Sequence, residues 1–482
     1  MKLLRSILPF LLLLLSFAGT AQTVQNDASP SDSPIIFKVV IENKDGSWRY
    51  GYIKSNGEVI AKPQFFKASV FINGMARIKF PDDYCTYIDP NGKVLKQKFD
   101  WFSEHFTPDG LCMVRDYETE KKGFINKKGE YVIKPQFDDA NEFSEGLACV
   151  KVDGKWGYID YKGEMVVKPN FVIAQSFSEG LAWVVIDTVE WKQWSDGKHL
   201  CHAWKEGLID KTGEYVIKPQ YDRAGKFRHG LAWVEIDGKY GFIDKMGNMV
   251  VEPQFDGGTP EYVNGFYIVC KHRYYGVVDT TGKIIFEPKS MIAPIFHEDY
   301  ARISTGERLL KNSYWWVPSN YGYIDKTGKI VIEPQFDFSQ DFCNGFARVS
   351  DETDLYGFIN KKGDLVIPYQ FKEAEYFSEN GLAAVRLNDK WGYIDTTGKF
   401  VIEPKFQYAG SFRNGLAQVK VIINDEKWEC IDTTGKTVLA PDCYACGYFE
   451  NGFATFRKNG KVGIIDTTGK IIIEPKYDEI FW

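Results

Sequence analysis

The side chains able to do chemistry recur at a fixed spacing. Aspartate stands at 89, 160, 210, 244, 279, 325, 395, 432 and 466, and asparagine at 126 and 360, each three residues before a glycine. A catalytic carboxylate pair is a single constellation whose two environments are tuned apart. An acid written into nearly every unit, and exchangeable with Asn, has a different task. Its side chain bonds nearby backbone N–H groups in a tight turn while the glycine takes the left-handed conformation. Asp-x-x-Gly also lacks the acidic series of a calcium loop. Gly435-Lys436-Thr437 imitates the end of a phosphate loop, but Cys430 stands where the first glycine is required and no strand–loop–helix junction surrounds it. Neither a Gly-x-Ser-x-Gly elbow nor a His-Glu-x-x-His zinc helix is present.

Nine cysteines remain to be placed. Cys85 stands where other units have Trp or Tyr, Cys112 where they have Ala, and Cys443 where they have Phe. These read as free thiols serving as small buried apolar groups. Cys443-x-x-Cys446 could instead form a local disulfide or a metal pair, although zinc would need two further ligands and no histidine is near in sequence. Two insertions hold the least stereotyped chemistry: Thr188 to Trp204 and Thr305 to Asn320. Trp191, Trp194, Trp204, Trp315 and Trp316 fall there, with His199 and His202. Aromatic plates suit sugar rings or a partner's apolar patch; the alternative is that they pair across long hairpins and hold them together. His199, Cys201 and His202 lack an acidic partner for a metal. The candidate ligand-binding set is therefore Trp191, Trp194, Trp204, His199, His202, Trp315 and Trp316. No catalytic residue, metal or cofactor is assigned.

The elements that carry these residues are one unit repeated about twelve times. The turn glycine recurs at 57, 92, 129, 163, 213, 247, 282, 328, 363, 398, 435 and 469, mostly 34 to 37 residues apart. The two longer intervals contain the insertions. Each unit reads as three strands. Two β-rich runs flank a hairpin signal such as Asp153-Gly154, and a third, continuous apolar run such as Ile330-Val331-Ile332 follows the Asp turn. A proline six residues after the glycine, as at Pro169 and Pro404, marks that strand's end or an edge. Lys98 replaces this proline and Pro368 comes one residue early. A longer link then carries an aromatic anchor, as at Phe143, Phe177, Phe227, Phe342, Phe412 and Phe449. An alanine soon after, as at 148, 182, 347 and 417, allows close approach of a neighbouring sheet, and the aromatic fills the space between units. No amphipathic helix of useful length occurs, so the class is all-β.

Lys-Trp-Gly at 155–157 and 390–392, continued by Tyr-Ile-Asp, resembles the bacterial WG (KWG) repeat family. Tyr replaces Trp at 240, 275, 321 and 356, while Thr86 and Glu429 replace the Gly and leave their local turns in doubt. The resemblance spans nearly the whole mature chain; it implies architecture and brings no catalytic residues. Twelve units of ~35 residues exceed one ordinary propeller of four to eight blades, and the last unit leaves no strand over to close a ring. The expected fold is a curved or superhelical array of about twelve three-stranded antiparallel meanders, with a propeller-like ring, or two rings, as the alternative.

Residues 1–21 read as a signal peptide, with Lys2 and Arg5 before an apolar run and Gly19-Thr20-Ala21 at the cleavage site. Residues 22–34 form a Ser/Asp/Pro-rich flexible leader, and 35–482 the repeat domain. The apolar run is short for a membrane span and no second one follows, so no stable membrane insertion is expected after cleavage. With 482 residues and a net charge of −6, the chain lacks the clustered positive field that nucleic acid requires. These features point to an exported protein, periplasmic or secreted, that is not an enzyme. It would act as a binding or scaffold surface for a protein or glycan partner. The alternatives are a glycan-active enzyme with its site on the inserted hairpins and a purely structural envelope component.

Overall fold

Strand pairing turns the repeat into twelve small antiparallel sheets, or blades. The computed structural model describes residues 34–81, 84–99, 105–194, 197–309, 316–422, 427–439 and 450–481, and among them every regular element is a strand. The fourth blade shows the plan. Ala148–Val152, Lys155–Ile159 and Met165–Phe171 form the expected meander. A further two-residue strand, Asp139–Ala140, comes from the link before it and pairs with Lys151 and Val150. Nine blades are four-stranded by this addition, and Lys67–Ala68 plays the same part in the second blade. Two residues carry no readable period, so the sequence alone shows three strands per unit.

That short strand also corrects the expectation about closure. Because each link strand belongs to the next blade, the last unit has one to give away. Glu479–Phe481 pairs with the first strand, Ile36–Glu42, through Lys38↔Phe481, Val39↔Ile480 and Val40↔Glu479. The twelve blades therefore form a ring resembling a propeller, not an open array.

The core is divided into one apolar cluster per blade interface. Leu147, Tyr158, Val167 and Phe171 of the fourth blade meet Ala174, Phe177, Ala182 and Val184 of the fifth. Phe37, Val39 and Ile53 meet Val462, Ile464, Ile473 and Tyr477 where the ring closes. The link aromatics fill these interfaces as expected. Phe177 lies 4.8 Å from Tyr158, Phe342 4.8 Å from Tyr323 and Phe412 4.7 Å from Tyr393, in tilted or edge geometry. Each of these tyrosines donates its hydroxyl to a link carbonyl: Tyr158 to Gln175 at 2.7 Å, Tyr323 to Gln340 at 2.6 Å and Tyr393 to Gly410 at 2.8 Å.

The glycine after the Trp or Tyr has a steric reason. A Cβ on Gly157 would sit 2.5 Å from the Val167 carbonyl oxygen and 2.7 Å from the Pro169 nitrogen. The third strand bulges there: Trp156 pairs with Phe171 and Tyr158 with Val167, so Gly157 faces three residues. Pro169 thus lies inside the strand, at a bulge where its missing N–H breaks no ladder bond, and does not end it. The third strand is also less buried than a continuous apolar run implies. Met165 and Val166 are about two-fifths exposed while Val167 is buried, because this strand is the sheet's edge. Where Thr86 replaces the glycine, no regular third strand forms among the described residues; isolated bridges Ile88↔Val94 and Cys85↔Phe99 take its place. Where Glu429 does so, Thr437–Leu439 is the part of the third strand that lies within the described residues.

Candidate ligand-binding cleft

The repeated acids are fully engaged in turns. Asp160 Oδ1 accepts the N–H groups of Lys162 and Glu164, both at 2.9 Å, while Gly163 N–H reaches the Asp160 carbonyl at 3.0 Å. Asn126 does the same for Lys128 and Glu130, which explains why Asn substitutes freely. In Asp325 and Asp395 the hydroxyl of the intervening threonine, at 2.6 Å, is the foremost of several bonds holding the carboxyl below its usual range. Carboxylates so held are poor general acids.

Both insertions lengthen the hairpin between a unit's first and second strands. In the fifth blade Leu181–Trp194 pairs with Gly197–Asp210, with Trp191 opposite Leu200, His199 opposite Lys192 and His202 opposite Val189. In the eighth, Tyr300–Leu309 pairs with Trp316–Asp325. Trp204 is 60% exposed. The side chains of Trp191, Trp194, His199, His202 and Trp316, and the whole of Trp315, lie outside the described residues, as do Cys443 and Cys446.

The seventh blade contributes a site that sequence reasoning missed. Its equivalent hairpin joins Phe266–Lys271 to Tyr274–Val278 through His272 and Arg273, with φ of 50° and 75°. Comparable tips carry Asp153-Gly154, Asp237-Gly238, Asn388-Asp389 and Asn459-Gly460, residue types that tolerate positive φ. Arg273 is the bulky exception among them, and strained backbone of this kind gathers at functional sites. Beside it opens a cleft of about 870 Å³, lined by Asp256, Cys270, His272, Arg273, Tyr274 and Tyr275 of this blade and by Met291, Glu307 and Pro318 of the eighth. Glu307 and Pro318 lie opposite each other on the inserted hairpin.

Charges in the cleft are arranged in two pairs. Asp256 accepts Lys239 Nζ at 2.8 Å and the His272 backbone N–H at 2.8 Å, with the His272 ring 3.4 Å away. Lys239 foremost, then the His272 amide, holds this carboxyl below its usual range. Across the mouth, Arg273 approaches Glu307 at 3.7 Å. Cys270 packs against Gly257, where a Cβ would fall 2.1 Å from its sulfur. Burial pushes the Cys270 thiol up, with the Arg273 amide opposing it. A thiol so raised is a poor nucleophile at neutral pH.

The profile of the WG containing repeat family matches residues 50–81, 123–156, 156–187, 207–240, 240–273, 275–308, 321–352, 356–391, 391–428, 430–461 and 463–481. The chain belongs to the WG containing repeat family. The gap at 82–122 begins in the unit where Thr86 displaces the glycine, and other gaps fall on the two insertions. No curated protein matches the chain. Among solved structures it is similar to a eukaryotic initiation factor (12% identity, 77% of this chain and 96% of that one, TM-score 0.25). It is also similar to the extracellular domain of a putative hybrid two component system from B. thetaiotaomicron (11%, 90% and 76%, TM-score 0.23) and to BamB from Moraxella catarrhalis (10%, 59% and 97%, TM-score 0.25). TM-scores this low fix no blade-to-blade correspondence; the architecture rests on strand pairing.

Two further features of the WG-repeat ring bear on chemistry. Cys85, Cys112, Cys149 and Cys270 are buried cysteines outside any disulfide and Cys343 a half-buried one, whereas Cys430 is disulfide-bonded. At the base of the fifth blade's hairpin, Glu206 stands where most units have Trp or Tyr. Burial pushes its carboxyl up to about 7, with Glu235 of the sixth blade adding to the effect and the Ala224 amide and Arg223 opposing it. Glu206 and Glu235 each bury an oxygen with no hydrogen-bond partner among the described residues. Neither lines the cleft. The signal that could have exposed the cleft is small: His-Arg at a hairpin tip where other units spell Asp-Gly or Asn-Gly.

Proposed function

We propose that this WG-repeat ring is an exported, non-enzymatic binding or scaffold protein for a protein or glycan partner. It engages that partner through the hairpins between first and second strands of the fifth, seventh and eighth blades. The observation that carries this reading is positional. The two long hairpins and the His272-Arg273 tip occupy the same place in their units, and all are departures from the repeat. Elsewhere the chemistry-bearing acids are spent on turns, which supports binding over catalysis. Export is supported by the basic and apolar leader of residues 1–21 and by the Cys430 disulfide, a bond favoured in oxidising compartments.

The test is a titration of residues 22–482 against oligosaccharides and short peptides, followed by tryptophan fluorescence and by product analysis. Binding without turnover is expected, and Trp204→Ala should weaken it by ~2–4 kcal/mol, the range of aromatic hot spots. Release of reducing sugar would overturn the non-enzymatic reading. Indifference to Trp204→Ala would remove the fifth blade's hairpin from the surface.

A further inference from the structure

We infer that the cleft between the His272-Arg273 tip and the eighth blade's hairpin binds a carboxylated sugar unit of the uronic acid type. The inference rests on the binding reading above and gives one of its sites a ligand chemistry.

Arg273 supplies the carboxylate recognition. Its side chain is 86% exposed, and at 3.7 Å the approach to Glu307 is too long for a hydrogen bond. Its N–H fork is therefore available for the two-point grip that planar carboxylates favour. Asp256, the acid nearest the tip, would normally repel such a ligand. Here Lys239 and the His272 amide already answer its charge, which leaves Glu307, 3.7 Å from Arg273, as the one anion that the ligand's carboxylate must displace. The exposed His272 ring stands beside Arg273 as a second donor.

The other walls suit a pyranose. Tyr274, Tyr275, Met291 and Pro318 line the cleft; Tyr275 packs on the apolar cluster between the blades, and the C–H face of a sugar suits such aromatic and apolar surroundings. Glu307 faces the cleft from the opposite hairpin as an acceptor for hydroxyls. The volume of about 870 Å³ accommodates a sugar unit or two. A long polyanion is disfavoured by the chain's net charge of −6, which points to an isolated acidic residue within a glycan.

The strained tip is the second, independent observation. Asn-Gly or Asp-Gly would make this turn without strain, yet His272 and Arg273 hold positive φ at the place where their side chains flank the cleft.

The experiment is calorimetric titration of residues 22–482 with a disaccharide of one glucuronic acid and one neutral hexose, its methyl ester and an acidic dipeptide. The free acid should bind, and the ester should bind roughly ten- to a hundredfold more weakly, the size of a lost charge-assisted bond. Arg273→Ala should cost about as much. The double substitution His272→Asn with Arg273→Gly should raise the unfolding midpoint while abolishing binding, a combination that a structural role for the tip does not produce. Equal binding of acid and ester, or unchanged binding by the double variant, would overturn the inference, and so would a lower midpoint. Binding of the dipeptide alone, or of sugars with sensitivity only to Trp204→Ala, would overturn this site and leave the binding reading standing.

Discussion

Replacing Gly157 by alanine isolates the reason for the family's signature glycine. Gly157 is not at positive φ, so its cost is steric alone. The added Cβ would lie 2.5 Å from the Val167 oxygen and 2.7 Å from the Pro169 nitrogen. Both are backbone atoms that cannot rotate away, and an ordinary contact begins near 3.4 Å. The third strand must move out by most of an ångström. That adds an overpacking penalty of ~1–3 kcal/mol and weakens the flanking Trp156↔Phe171 and Tyr158↔Val167 pairing, at about 1 kcal/mol per bond lost. The total is about 3 kcal/mol. Gly154 in the same blade is the control, since a Cβ there meets nothing within 4 Å but its φ is +79°. Gly154→Ala should therefore cost only the left-handed penalty, about 1–2 kcal/mol. Urea unfolding at constant slope reads the difference, and hydrogen exchange should show Val167 and Phe171 amides losing protection only in Gly157→Ala. Equal destabilisation by the two substitutions would refute the steric account.

Three other outcomes follow from the packing. Tyr158→Phe should cost ~1 kcal/mol in urea unfolding, because it leaves the half-buried Gln175 carbonyl without its 2.7 Å donor; a neutral effect would show that water replaces it. A thiol reagent should leave Cys85, Cys112 and Cys149 largely unmodified in native protein and label them after denaturation, while mass measurement without reduction should retain a disulfide at Cys430. The Glu206 carboxyl, raised from 4.5 to about 7 by burial, binds its proton more tightly when folded. Its contribution should therefore fall as pH rises from about 5 to about 7, since the folded state holds the extra proton in that window; Glu206→Gln should flatten that part of the stability–pH curve.

Most of the architecture was legible because it is written many times. Turn acids, link aromatics and the small residue at 148, 182 and 347 each recur, and the structure gives each the role its recurrence implied. Closure was legible only as the alternative to an open array, because its agent is a two- or three-residue strand such as Asp139–Ala140 or Glu479–Phe481, too short to show a period of two. Pro169 marks an edge strand, one of the two readings the sequence offered; that it lies inside that strand was not legible, because the bulge that accepts it exists only where Gly157 admits it. The cleft was hidden differently. Cys270, His272, Arg273 and Tyr274 break the repeat without lengthening it, whereas the tryptophan-rich insertions announce themselves by length. Met291 and Glu307 come from the next blade, and only the packing of adjacent blades brings them alongside.

The handing of a link strand to the next blade puts the sequence unit and the structural blade out of phase. An internal gene duplication that copies one unit anywhere in the chain would copy a complete set of half-interfaces together with the strand its successor needs. The enlarged ring would close by the same Ile36–Glu42 and Glu479–Phe481 pairing, with no new kind of contact. Ring size in such a protein is set by how many units are strung together, and a lineage can widen or narrow the circle one unit at a time.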